Sequence, residues 1–278
     1  MITLESISQS KHIRAPRIIL LGVEKIGKTS FACGCRFDPA GALLETGLNA
    51  PVVIPCKGEE GTDGLGVPTF PICDTANKIM QCISALYDGK HQYRTVVLDS
   101  SSAAEPLIHD AVCNENSVKS IEKVGGGYGK GYVEALRYWR DVMTGFDALR
   151  NEHNMTSIII GHVRVRRFDD PNGDSYDTYA WDIHDKAASA LYKWADIILF
   201  ANTKVVIRKE DIGFSKTKSR GIDATGGQRF LFTQKRPAHP GGGRHVYGRL
   251  PYELPLDWTT FENTIAEAMQ PQGEKNHE

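Results

Sequence analysis

The chain has 278 residues, 41% of them hydrophobic, which suffices for the core of one large α/β domain or two small ones. Its 33 Lys and Arg nearly balance 34 Asp and Glu, so no global field draws in a polyanion and any phosphate or nucleic-acid site must come from a local basic cluster. The six cysteines, at positions 33, 35, 56, 73, 82 and 113, lack both paired C-x-x-C spacing and scaffold density, and the longest apolar runs, "IILLGV" and "SIIIG", are too short to span a bilayer. Free thiols, no leader, no membrane contact and a cytoplasmic location are therefore expected.

The polar residues 1–16 form a short N-terminal extension that ends at Pro16, and Ile18 to Leu21 then reads as a fully buried strand. Gly22 to Gly27 forms a loop, and a helix opens at Lys28 and runs to Gly34. The second strand is "PVVIPC", followed by the turn "KGEEGTDGLG" and a helix in "TANKIMQCISALYDG". Arg94 to Ser102 is the third strand and Ala103 to Asn114 a helix, after which the glycine-rich "EKVGGGYGKGY" leads into the amphipathic helix of residues 133–153. "TSIIIGHVRV" is the fourth strand, "RRFDDPNGDSYDTYAWD" a polar loop, "KAASALYKWA" a helix and "DIILFANTKVVI" the fifth strand.

Strands alternating with helices predict a mostly parallel sheet flanked by helices. Beyond Lys204 shorter strands such as "QRFLFTQ" predict an antiparallel C-terminal extension, and a last helix starts near Thr259. This organisation gives one domain over 17–265 and a flexible tail over 266–278.

Gly22, Gly27, Lys28 and Thr29 stand in the order G-x-x-x-x-G-K-[ST], after a buried strand and at the start of a helix. Such a loop lets backbone N–H groups converge on a polyphosphate, so Gly22, Val23, Glu24, Lys25, Ile26, Gly27, Lys28, Thr29 and Ser30 are the expected ATP-binding residues. Lys28 would reach the β- and γ-phosphates, and the Thr29 hydroxyl would bind Mg²⁺. Asp99, closing the apolar "TVVLD", lies where an acid would hold the magnesium water shell. The turn after the second strand brings Glu59 and Glu60 to the same edge, and Glu60 is chosen as the water-activating base.

The P-loop with Glu24 at its third position, the acidic "EEGTDGL" turn and "VVLDS" together resemble the RecA-like recombinase core, and most closely the compact bacteriophage ATPases of recombination and single-strand annealing. That resemblance implies an α/β RecA-like P-loop NTPase fold, a DNA-dependent ATPase activity and a site in the bacterial host cytoplasm. It also implies a γ-phosphate sensor at the end of the fourth strand, which here is His162 where the family usually carries Gln or Asn.

The resemblance further implies two single-stranded DNA loops after the third and fourth strands. The first supplies Lys123, Tyr128 and Lys130; the second supplies Arg164, Arg166 and Arg167, although Asp169, Asp170, Asp174 and Asp177 partly cancel them. A mobile lid over a small substrate would read the same way. A basic motif near the C-terminus would reach the nucleotide of a neighbouring subunit in a ring or filament, with Arg244 the first choice and Arg249 the second. A single-strand binding or annealing protein is a further expected partner. The residues also allow a P-loop kinase for a small acceptor, or a nucleotide-gated interaction module.

Overall fold

Ile18, Ile19, Leu20 and Leu21 have no exposed surface, and they form the centre of strand β1 (Arg17–Gly22), the axis of the computed structural model. The structure describes residue 4 and residues 14–38, 42–171, 173–211, 217–223 and 225–270, with backbone alone over 205–211 and 217–223. After β1 come α1 (Lys28–Ala32), the short β2 (Arg36–Phe37) and β3 (Leu43–Glu45), β4 (Pro51–Pro55) and α2 (Ala76–Asp88). Next are β5 (Thr95–Asp99), α3 (Ser101–Glu115), a 3₁₀ segment (Ile121–Gly126) and α4 (Lys130–His153). The chain continues through β6 (Thr156–Phe168), β7 (Tyr176–Trp181), α5 (Asp185–Trp194) and β8 (Ile197–Thr203). Strands β9 (Val205–Asp211), β10 (Thr217–Asp223), β11 (Arg229–Phe232), β12 (Gly242–Gly243) and β13 (Glu253–Pro255) precede α6 (Trp258–Met269).

The main sheet runs β13-β11-β8-β1-β6-β5-β4, with β8, β1, β6, β5 and β4 parallel and β11, β12 and β13 antiparallel. Alternation along each strand divides the core. Ile19, Leu21, Val96, Leu98 and Ile159 pack under α2, α3, α4 and α5, whereas Ile18, Leu20, Val97, Ile158 and Ile160 face α1, α6 and the residues around Tyr247. Both faces are covered, as a parallel sheet requires, and the carboxyl ends of five strands converge on one edge. A segment over 67–73 pairs along the outer flank of β4, through Val53 N to Pro68 O (2.9 Å), Phe70 N to Val53 O (2.9 Å) and Cys73 N to Pro55 O (2.8 Å). No helix among the described residues is long and apolar enough to cross a membrane, and all six cysteines are free and buried.

Several expectations need correction. The third strand stops at Asp99, because Ser100 turns out of the sheet and its side chain caps α3 by accepting from Ala103 N. Helix α1 ends at Ala32 rather than Gly34, and Cys33 N and Gly34 N close back onto Thr29 O and Phe31 O. The polar loop after the fourth strand is a hairpin: β6 continues to Phe168 and β7 returns against it, Val163 opposite Trp181 and Phe168 opposite Tyr176. The fifth strand breaks at Lys204, and β9 leaves the main sheet to pair with β10. Helix α6 runs to Met269, so the expected tail begins inside a helix, while residues 1–3 and 5–13 of the extension and 271–278 of the tail lie outside the described residues.

Candidate functional site

The loop after β1 is shaped by close approaches. A side chain on Gly22 would meet Ala201 O at 2.5 Å, and Gly27 sits at φ 103° in the left-handed region, with Arg229 Nη1 2.7 Å from where a Cβ would stand. The loop wraps a cavity of about 570 Å³ at the carboxyl edge, bordered by Glu24, Lys25, Gly27, Lys28, Thr29 and Ser30. Gly22 and Val23 take part through their carbonyls, which accept from Lys28 Nζ at 3.0 and 2.8 Å. Ile26 instead turns its side chain into the core, at 6% exposure. Six of the nine loop residues thus border one cavity.

Asp99 at the end of β5 accepts from Thr29 Oγ1 at 2.7 Å. Burial pushes its pKa up to about 6, against the Thr29 hydrogen bond and with the help of the Glu59 charge. A hydroxyl and a carboxylate side by side are the hard oxygen ligands that suit Mg²⁺, an ion that keeps most of its own waters. The site therefore fits the metal expected from sequence. Gly61, unremarked in the sequence, closes over this pair: a Cβ there would lie 2.5 Å from Thr29 Oγ1 and 3.2 Å from Asp99 Oδ2.

The acid that faces the cavity is Glu59, and Glu60 is exposed outside it. A tight turn makes the choice: Glu59 N donates to Cys56 O at 3.0 Å and Gly58 takes φ 96°, which aims Glu59 inward. Glu59 Oε1 accepts from Ser100 Oγ at 2.5 Å and from His162 Nε2 at 3.0 Å. Burial disfavours its carboxylate, but the hydrogen bonds from His162 and Ser100, with the charges of His162 and Lys28, outweigh that and hold its pKa below the usual range. His162 Nδ1 stands 3.5 Å from Lys28 Nζ. Burial lowers the Lys28 pKa, against the pull of Asp99, Glu59 and Glu24. Lys28, His162, Glu59 and Asp99 are therefore one connected set.

The glycine-rich segment packs against the start of α5, just beyond the second expected nucleic-acid segment. Tyr132, at the end of the glycine-rich segment, stacks on His184 at 3.9 Å, and the His184 N–H donates to both oxygens of Glu105. Tyr128 is fully exposed and Lys123 exposed, whereas Lys130 bonds its own loop at Gly125 O (2.9 Å). The arginines of β6 are paired: Arg164 with Asp182 (3.3 Å), Arg166 with Asp185 (2.8 Å) and Arg167 with Asp177 (3.4 Å). Their field is weaker than the sequence suggests, because β7 and the start of α5 bring acids opposite them. A separate cleft of about 440 Å³ opens between the β6–β7 hairpin, α5 and the segment 235–240, where Arg166 and Arg236 border Tyr176, Tyr179, Trp181 and Tyr192.

Arg244 lies at the far end of the sheet, near the first residues of β8, where it bonds Lys193 O and stands 3.7 Å from Asp196. It is remote from the P-loop of its own chain, and Arg249 is exposed on the adjoining turn. The basic residue that does approach the loop is Arg229, whose Nη1 donates to Ile26 O at 3.2 Å. Nothing local in "GGQRFLF" marks it, since only the antiparallel pairing of β11 with β8 brings it there.

A family model described as an AAA domain matches residues 14–245. No curated protein matches the chain.

Proposed function

The chain belongs to the AAA-domain family, and from that premise we propose that it is a Mg²⁺-dependent ATP hydrolase whose turnover is coupled to single-stranded DNA in recombination or annealing. The observation that carries the hydrolytic half is the connected set of Lys28, Thr29, Glu59, Asp99 and His162 around one cavity. Lys28 binds the β- and γ-phosphates from inside the loop. Thr29 and Asp99 would hold Mg²⁺, which would supply positive charge to offset that on the transferring phosphoryl oxygens. Glu59, a carboxylate at neutral pH, orients the attacking water and takes its proton as the bond to the γ-phosphorus forms and the bond from that phosphorus to the β–γ bridging oxygen breaks, releasing ADP. His162 touches both Lys28 and Glu59, so a γ-phosphate drawing on Lys28 is felt by the base through one imidazole.

Gly61 packs directly against the Thr29–Asp99 pair. Gly61→Ala is expected to part Thr29 from Asp99 and lower Mg²⁺-dependent turnover by about tenfold or more, with the far-ultraviolet circular dichroism spectrum unchanged.

The DNA half is supported by β6 itself, which carries His162 at the cavity and Arg164, Arg166 and Arg167 outward into the hairpin. The cleft beside it interleaves cations with aromatic rings, the composition that takes up unpaired bases and phosphates without sequence preference. The test is binding and ATP turnover with a mixed-sequence single-stranded oligonucleotide over a salt series. Oligonucleotide is expected to stimulate turnover, and Arg166→Ala with Arg236→Ala to weaken its binding roughly tenfold and flatten the salt slope by about two. Turnover indifferent to oligonucleotide, with none retained at low salt, would sink the DNA half and favour a small phosphoryl acceptor or a protein partner.

A further inference from the structure

Beyond Gly27 and Ser30 the phosphate loop is continuous with a second hollow of about 180 Å³, bordered by Phe31, Phe37, Asp38, Arg229 and Leu256. It adjoins a wider cavity of about 400 Å³ that shares Phe37, Asp38, Arg229 and Leu256 and reaches Gln228. That size lies within the range of small-molecule sites. The walls are a ring and a cation: the Arg229 guanidinium stands 5.9 Å from the centroid of Phe37, while its Nη1 is fixed on Ile26 O. Phe37 is partly exposed, so its ring offers a face. Asp38 Oδ1 accepts from Ala42 N at 2.7 Å, and among the described residues no donor meets its Oδ2, an acceptor at the mouth.

We infer that this cleft receives the adenine base of the nucleotide, stacked on Phe37 and flanked by the Arg229 guanidinium, with its amino group turned to Asp38. The inference rests on the reading of the P-loop as a triphosphate site. A nucleotide whose phosphates lie at Lys28 must lay its sugar and base on one side of Gly27 or the other. On one side stand the charged side chains of Glu59, Asp99 and His162; on the other is this cleft, which joins the loop through Gly27 and Ser30. Flat heteroaromatic bases gain from stacking on a ring and on a guanidinium, and a single free carboxylate oxygen suits an exocyclic amino group. Arg229 is thereby a specificity-determining residue, and its bond to Ile26 O ties the base to the backbone of the loop.

The experiment is calorimetric titration of the full chain with ATP and with inorganic tripolyphosphate, each with Mg²⁺, for the unaltered chain, Phe37→Ala and Phe37→Trp. Phe37→Ala is expected to weaken ATP roughly tenfold and leave tripolyphosphate unchanged. In Phe37→Trp, ATP is expected to alter fluorescence at the long-wavelength edge, as a difference from the unaltered chain, where tripolyphosphate does not. Equal effects of Phe37→Ala on the two ligands, or a Phe37→Trp signal that ATP and tripolyphosphate change alike, would overturn the base site while the phosphate site stands. Failure of both ligands to bind the unaltered chain would instead overturn the P-loop reading, and this inference with it.

Discussion

Glu59→Gln is expected to lower ATP turnover by about 10²–10⁴-fold while ATP remains bound, the range attributed to a positioned general base. The substitution keeps the size of the side chain and an oxygen to accept from Ser100 Oγ and His162 Nε2, both of which now meet at Oε1. What it removes is the charge that pulls the proton from water, so binding and fold persist while the chemical step slows. Single-turnover hydrolysis beside equilibrium ATP binding separates the two. Glu60→Gln, on an exposed side chain beyond the cavity, serves as the control with little expected effect. The reverse result, a slow Glu60→Gln and a normal Glu59→Gln, would return the base to the residue chosen from sequence.

Lys28→Ala should act earlier in the cycle. The residue is 6% exposed, and its ammonium is held by two loop carbonyls, already inside the cradle, so it is preorganised for phosphate. Removing a fixed cation from a site where charge accumulates costs about 10²–10³-fold in turnover, and here the loss of ground-state binding adds to it. Burial already disfavours the charged form of Lys28, so its removal is not expected to lower the thermal midpoint appreciably. ATP affinity, measured by calorimetry, should fall by about 100-fold or more. Unchanged affinity would mean that the cavity binds its ligand without the P-loop lysine.

The parts of the site legible in the sequence were those set by local order. Ile18 to Leu21, the glycine spacing and Lys28-Thr29 specify strand, loop and helix within fourteen residues of one another, and the buried "TVVLD" puts Asp99 on the same edge by the rules of parallel sheets. The misreadings come from single-residue geometry and from distant pairing. Glu59 and Glu60 are chemically alike, and the φ of Gly58 decides which faces inward. The β6–β7 hairpin was hidden because its strands are half exposed: in "RVRRF" and "YDTYAW" charged and aromatic residues alternate without an apolar face. Its pairing also sets the arginines against Asp177, Asp182 and Asp185, of which only Asp177 stands among the acids that the sequence sets against them. Arg229 lies 203 residues from the carbonyl it meets, beyond any local pattern.

The segment paired along β4 has a bearing on how copies of this chain could associate. Pro68 and Pro71 lie in it, and between them the Thr69 N–H and C=O are turned away from β4, since Val53 bonds Pro68 O and Phe70 N on either side. Short and interrupted by prolines, that flank offers an incoming strand few main-chain bonds. Subunits meeting on this side would recognise one another mainly through side chains, whose contacts can be made and released within a catalytic cycle without opening a β-ladder.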